Sequence, residues 1–402
     1  MVELLAPVRD EVSFVAAVEA GADAVYLGLG ELNMRVRSRG IEPEKLGKIV
    51  QKAHRRKVKV YVTLNTIVYD EELERLDQLL AVVKEAKADA VIGWDLAVVQ
   101  KAKSLGIPIH ISTLANISNS QAVRFYENLG IKRLVLAREL SLEQIRQIKK
   151  NTPLEIEVFG HGALCVSISG RCFLSEHLFG RSANRGDCLQ PCRREYIILD
   201  KETGDELSLG NHYILSPKDL CTLPILDQLI EAGIDSLKIE GRSRAPEYIQ
   251  TVVRVYRQAI DAVADGSFNR ERVAGWVAEV SKVYNRGFST GFLMGRPGPQ
   301  DWNDRYGSRA TRRKIHIGKI LNYYKKTHIA YLQVESNPLK VGDVIQIHGP
   351  TTGIVECTIP QMRNEGQHPI SAVEKGLVTF PCQRQVRKND LVYKVAAAEK
   401  GD

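Results

Sequence analysis

A chain of 402 residues with 44% hydrophobic and 26% charged side chains can bury one large core and a smaller second one, which excludes a disordered or low-complexity polymer. The opening Met1-Val2-Glu3-Leu4-Leu5 carries no basic segment and meets Pro7 and Arg9 before any long apolar run, so neither a signal peptide nor a membrane span is expected and the predicted location is cytoplasmic. A net charge of +8 suits an anionic partner such as RNA, and equally a solvated basic surface.

In chain order, short β-branched runs at Glu3–Leu5, Ala24–Leu27, Val58–Leu64, Ala90–Ile92, Ile109–Ser112, Arg133–Leu136, Leu154–Phe159 and Ser236–Ile239 predict eight strands. Helical spacing fills most of the intervals, as in Glu71–Ala86, where Leu73, Leu76, Leu79, Leu80 and Val83 share one face. This alternation predicts an α/β fold, a TIM-like (β/α)8 barrel over residues 1–290. Gly28-Leu29-Gly30 lacks the third glycine of a dinucleotide fingerprint and is read as a turn.

The alternation breaks after the seventh strand. Residues 160–217 carry glycines, four cysteines and a predicted hairpin over Tyr196–Leu215, before a helix predicted from near Pro217. An insertion there sits on the face where such barrels keep their active sites. After a helix over Tyr248–Ala264, residues 291–313 read as a basic linker. Residues 314–402 then read as a small C-terminal β-barrel domain, with strands at Lys319–Leu321, Ile329–Val334, Val341–Ile347, Gly353–Ile359, Leu377–Phe380 and Leu391–Val395.

Seven cysteines in a reducing compartment point to metal or redox chemistry rather than a disulfide framework. Cys165, Cys172, Cys188 and Cys192 fall within 28 residues, with six, fifteen and three residues between successive members. Four thiolates suit an iron-sulfur cluster, whose negative charge is relieved by nearby backbone N–H groups and cations such as Arg171, Arg181, Arg185, Arg193 and Arg194. They also suit structural zinc, although zinc sites favour tight cysteine pairs and only one of the two pairs is tight. Cys221, Cys357 and Cys382 are isolated and read as core thiols, with Cys221 a reserve ligand.

Other candidates follow from strand geometry. Lys238, Glu240 and Arg242 are two residues apart and face one side near the end of the eighth strand, where cations suit a phosphate or a dicarboxylate. With Glu157 of the seventh strand and His161 just past it they are the candidate catalytic residues, against plainer roles as a barrel salt bridge, an anchor and a backbone-bonded histidine. Arg35, Arg37 and Arg39 follow the second strand and suit RNA phosphates or a solvated loop. Arg305, Arg309, Arg312, Arg313, Lys314 and Lys319, interleaved with Tyr306, Tyr323 and Tyr324, suit an RNA backbone and an unstacked base, or a solvated linker. The RNA-binding set is therefore Arg35, Arg37, Arg193, Arg194, Arg309, Arg312 and Arg313.

The stretch from Glu157 through Phe159, His161, Gly162 and Ala163 to Cys165, followed by Ser169-Gly170-Arg171-Cys172, resembles the signature of the collagenase-like peptidase family U-32. The resemblance continues through Glu3 to Pro7, Ala20 to Gly28, Arg138 to Ser141, Cys188 to Arg193, Ser216 to Leu220, Ser236 to Arg242 and Asn285 to Phe288. This chain has Leu114 where the family usually carries a glutamine. Members of this length look like hydroxylases of the tRNA wobble uridine. The resemblance thus implies a 4Fe-4S cluster on Cys165, Cys172, Cys188 and Cys192, prephenate as hydroxyl donor, and tRNA, through its anticodon loop, as partner. Other members act on a ribosomal RNA cytidine or serve ubiquinone synthesis.

The family name invites a peptidase reading as well. Gly287-Phe288-Ser289-Thr290-Gly291 matches the Gly-x-Ser-x-Gly pattern, but that motif needs a strand before it and a helix after it, and a helix is expected before it here, so it is read as a turn.

Overall fold

The computed structural model describes residues 1–38, 40–207 and 213–398. Its strands are, in chain order, β1 (Glu3–Val8), β2 (Ala24–Gly28), β3 (Lys59–Thr63), β4 (Ala90–Gly93), β5 (Ile109–Ile111), β6 (Arg133–Val135), β7 (Glu155–Gly162), β8 (Asp219–Cys221), β9 (Ser236–Ile239) and β10 (Phe288–Ser289). From β1 to β7 each strand pairs in parallel with the next, and β9 inserts between β7 and β1 to close an eight-stranded barrel. Parallel strands are covered on both faces, which is why they read as short apolar runs; all five residues of β2 are buried.

Helices α1 (Glu11–Glu19), α2 (Pro43–His54), α3 (Leu73–Glu85), α4 (Leu96–Ser104), α5 (Ser120–Asn128) and α6 (Leu142–Lys150) follow the first six strands in turn. In α3 the buried residues are Leu76, Leu79, Leu80 and Val83, the stripe predicted by the 3.6 period. Leu73, the fifth residue of the predicted stripe, opens the helix and is only partly buried. At α1, Asp10 accepts from the Ser13 N–H at 2.8 Å while Ser13 Oγ accepts from the Asp10 N–H at 2.9 Å, a reciprocal cap of the kind that contributes about 1 kcal/mol.

The insertion carries a short α-helix, α7 (Leu174–Phe179), turns of 3-10 helix, and an isolated antiparallel bridge, Leu199 to Glu206, within the predicted hairpin; residues 208–212 of that hairpin lie outside the described residues. The chain then departs from the expected helix near Pro217. Asp219–Cys221 instead forms β8, which pairs antiparallel with the extended end of β7, and a turn of 3-10 helix leads into α8 (Leu226–Glu231). The reason is local: β7 outlasts the barrel and offers an edge, and Asp219 is held there by Arg286 at 3.3 Å. Helices α9 (Pro246–Ala264) and α10 (Arg270–Val280) complete the first unit. The Gly-x-Ser-x-Gly stretch is not a turn at its centre: Phe288–Ser289 is β10, paired with β8.

The C-terminal strands are β11 (Arg312–Tyr324), β12 (Ile329–Val334), β13 (Leu339–Lys340), β14 (Val344–Gly349), β15 (Gly353–Thr358), β16 (Met362–Asn364), β17 (Pro369–Ile370), β18 (Ala372–Val373), β19 (Gly376–Pro381) and β20 (Leu391–Ala397). Eight of them form an antiparallel sheet in the order β15-β14-β20-β11-β12-β19-β16-β17 around a core that includes Ile317, Leu332, Ile347, Phe380 and Val392. The first strand begins at Arg312, seven residues before the predicted Lys319, so Arg312 and Arg313 belong to the sheet. The sheet rests on the barrel through α1 and α9: Lys314 pairs with Glu247 at 2.8 Å, Arg384 pairs with Glu19, and Gly353 faces Val15. Among the described residues, no helix is long and apolar enough to cross a membrane.

Candidate functional site

The floor of the barrel is charged. Glu157 on β7 is fully buried and accepts from Lys238 Nζ at 2.8 Å and from Arg133 Nη1 at 3.2 Å. Arg133 is also held by Glu3 at 2.5 Å and Glu155 at 2.7 Å. Burial pushes the Lys238 ammonium below its ordinary value, although Glu157 opposes the shift.

Above this floor the eighth barrel strand continues into the loop carrying Glu240 and Arg242, and both, with Lys238, line a cavity of about 460 Å³. The structure thus brings the three residues together, as their spacing predicts. Glu240 accepts from Arg35 Nη2 at 2.6 Å and from the Tyr26 hydroxyl at 3.3 Å. Burial alone would raise the Glu240 carboxyl, but Arg35 and Arg138 outweigh it and hold it at about 2. Arg242 Nη1 donates to Thr63 Oγ1 at 2.6 Å and to Asn33 Oδ1 at 3.2 Å, and burial brings it down to about 10, so it remains charged at neutral pH. Gly28 is required here: a Cβ would come within 2.8 Å of the Arg242 guanidinium.

Arg138 is a site residue that the reading of individual residues missed. Its guanidinium lies 3.7 Å from the centre of the Phe159 ring and donates to the Ala163 carbonyl at 2.8 Å, at the foot of the cysteine insertion. Among the described residues, seven cations line the cavity (Arg9, Arg35, Arg37, Arg138, Arg193, Lys238 and Arg242) against three carboxylates (Glu139, Glu240 and Asp301), so the cavity favours an anion.

Cys165, Cys172, Cys188 and Cys192 line this same cavity from the side of the insertion. All four are free thiols. Backbone N–H groups donate to two of the sulfurs, Leu174 to Cys172 and Gln190 to Cys188, each at 3.3 Å. Burial raises the Cys192 thiol, Arg193 lowers it, and the other three cysteines raise it again, so the four sulfurs share one electrostatic environment. Among the described residues, no group of three or more histidine, cysteine, aspartate or glutamate side chains converges on the position of a single metal ion. Soft thiolate donors, amides aimed at sulfur and a surplus of cations fit the needs of an iron-sulfur cluster. Arg193 also ties the insertion down, donating to Leu164 O, to Pro217 O at 2.9 Å and to Ser216 Oγ at 3.1 Å.

His161 is not brought to the cavity. The β7–β9 register shifts between Phe159 and His161, and this irregularity turns His161 away from the side that Glu157 and Phe159 face. Its ring packs against Tyr248, Tyr256 and Phe288, and burial lowers it to about 3, leaving it neutral. Cys221 pairs beside it, also away from the cavity, its thiol raised to about 11 by burial.

The RNA candidates divide. Arg35 and Arg37 reach the cavity, Arg35 pairing with Glu240 and Arg37 with Asp187 at 3.4 Å, while Arg39 lies outside the described residues. Arg194 lies over the Phe179 ring at 5.1 Å. Arg309 pairs with Asp304 and Arg312 with Glu356 at 3.7 Å. The expected linker is anchored: Trp302 donates to Ile214 O at 2.7 Å, and Phe292, Pro297, Asp301 and Trp302 line the cavity. Ser289, also at the cavity, donates to Asp301 at 2.6 Å.

A TIM-like barrel whose open end shares one cationic cavity with four cysteines of an inserted loop defines the class. Residues 10–303 match the model of peptidase family U32, and the chain belongs to that family. It is 41% identical over 411 aligned residues to a Porphyromonas gingivalis protein named collagenase, covering 99% of both chains. It is 33% identical over 401 residues to the Bacillus subtilis tRNA hydroxylation protein P1, covering 98% of this chain and 94% of that one. It is 38% identical over 305 residues to the Escherichia coli 23S rRNA 5-hydroxycytidine C2501 synthase, covering 74% of this chain and 46% of that protein.

Proposed function

We propose that this protein hydroxylates RNA, with the wobble uridine of tRNA as substrate, prephenate as hydroxyl donor and a 4Fe-4S cluster held by Cys165, Cys172, Cys188 and Cys192. The observation that carries the reading is the sharing of one cavity by the four thiols and the cations Arg35, Arg138, Lys238 and Arg242. When bound, such a cluster supplies one-electron chemistry at the cavity. The chain's own residues do the rest. Arg242, fixed by Thr63 and Asn33, and Arg138, fixed over Phe159, present guanidinium forks suited to the carboxylates of a dicarboxylic donor. Glu240 stays ionised and orients Arg35, so the site keeps its charge pattern across neutral pH. Arg37, at the cavity and half-exposed, is placed to meet an entering polyanion.

The names of two of the three relatives support RNA hydroxylation; the collagenase name supports a peptidase instead. Mass spectrometry of total tRNA and rRNA nucleosides from cells with and without the gene separates the readings. The expected result is loss of 5-hydroxyuridine or of a nucleoside derived from it, restored by the wild-type gene and not by the Arg242→Ala form. An unaltered nucleoside profile together with gelatin or collagen cleavage by the purified protein would overturn the proposal.

A further inference from the structure

Cys357 and Cys382, expected as isolated core thiols, lie side by side. Cys357 sits on β15 and Cys382 directly follows β19, and four strands separate β15 from β19 in the sheet order. The pair meets because the sheet curls back on itself, bringing its β15 edge to the end of β19. Both cysteines line one cavity of about 290 Å³ with Glu356, Pro381 and Arg384, remote in sequence from the four cysteines of the insertion. The Cys382 side chain is buried and its S–H donates to the Arg384 carbonyl at 3.2 Å, while Cys357 is half-buried. The two thiols also act on each other: Cys357 lowers the Cys382 thiol, and Cys357 is raised in turn.

We propose that Cys357 and Cys382 form a reversible redox site, a dithiol that hydrogen peroxide converts to a disulfide and a small dithiol restores. Two thiols facing one open cavity, so that the second can resolve the sulfenic acid formed on the first, are the arrangement this chemistry needs. Cys382 sulfur attacks the O–O bond of the peroxide; an S–O bond forms, the O–O bond breaks, and the leaving hydroxide takes up the thiol proton as water. Cys357 sulfur then attacks the sulfenic sulfur; the S–S bond forms, the S–O bond breaks, and the hydroxyl departs with the Cys357 proton as a second water. The two sulfurs give up two electrons and the peroxide accepts them. The product staples the curled sheet across its seam, beside the Arg384–Glu19 contact with the barrel. This inference does not depend on the RNA reading.

The test is non-reducing tryptic mapping of the full-length folded protein after treatment with hydrogen peroxide, with and without subsequent dithiothreitol. The expected product links peptide 341–363 to peptide 376–384 and is lost on reduction. In Cys357→Ser, dimedone should label Cys382; in Cys382→Ser, Cys357 should stay unlabelled at the same peroxide dose. The linked wild-type form should also unfold at a temperature at least about 5 °C higher, because the bridge restricts the unfolded chain. Both thiols remaining alkylatable after peroxide, or either one linking instead to a cysteine of the insertion, would overturn the proposal.

Discussion

Replacing Glu157 by glutamine separates an anchoring role from a catalytic one. Glu157 does not line the cavity; it neutralises Lys238, while Arg133 keeps Glu3 and Glu155. The variant leaves Lys238 as a buried cation without its carboxylate, a change that typically costs about 3–5 kcal/mol. Deprotonation sets the ceiling. An amine whose ordinary value is 10.5 loses its proton at pH 7 for roughly 3.5 units at 1.36 kcal/mol each, about 5 kcal/mol, and at pH 9.5 for about 1.4 kcal/mol. Because the folded-state value is depressed, the penalty is full below that value and fades as pH rises toward 10.5. Thermal unfolding followed by circular dichroism should therefore show Glu157→Gln melting about 4–6 °C below wild type at pH 7, with most of the gap closed at pH 9.5. A gap under about 2 °C at pH 7, or one that does not narrow at pH 9.5, would refute the argument.

Anaerobically purified protein should carry roughly four irons per chain; Cys165→Ser, Cys172→Ser, Cys188→Ser and Cys192→Ser should each lose most of it, while Cys221→Ser keeps it, as read by iron assay and visible absorbance. Stoichiometric zinc without iron would sink that assignment. His161→Leu should leave hydroxylation per folded molecule within about twofold and its pH profile unmoved, since a neutral ring packed among aromatics transfers no proton near neutrality; a tenfold loss at wild-type stability would show otherwise. The combined Arg309→Ala, Arg312→Ala and Arg313→Ala form should bind tRNA more weakly at low salt, with a salt slope flatter by about 0.7–0.9 for each phosphate no longer neutralised. Unchanged affinity and slope would move docking to Arg35, Arg37 and the arginines of the insertion.

The barrel was legible because each parallel strand is covered on both faces and each helix on one, so β2 and α3 announce themselves by burial alone. The cysteines were legible because their grouping is local in sequence. What escaped depends on distance or on phase. Arg138, Thr63, and Tyr26 with Asn33 come from three separate stretches and meet Glu240 and Arg242 only when the barrel closes. The nearness of Cys357 to Cys382 follows from the curl of the sheet, which no short window encodes. Strict alternation from Glu157 puts His161 on the wrong side because it ignores one register shift. The short strands β8, β16, β17 and β18, of two or three residues each, carry too few positions for any period to register.

The cysteine insertion leaves the barrel from β7 and returns by β8 and α8 to β9, and β7 and β9 are hydrogen-bonded neighbours. Its two ends are therefore pinned together by the barrel's own closure, whatever the loop between them does. The entropy of closing that long excursion is met by barrel pairing rather than by the thiols, so the loop can organise around a prosthetic group as a later and separate event. For the cluster proposed above, loading would then be a maturation step performed on an already folded scaffold. The unloaded chain should present protease-sensitive sites between residues 163 and 207 and almost none in the barrel wall.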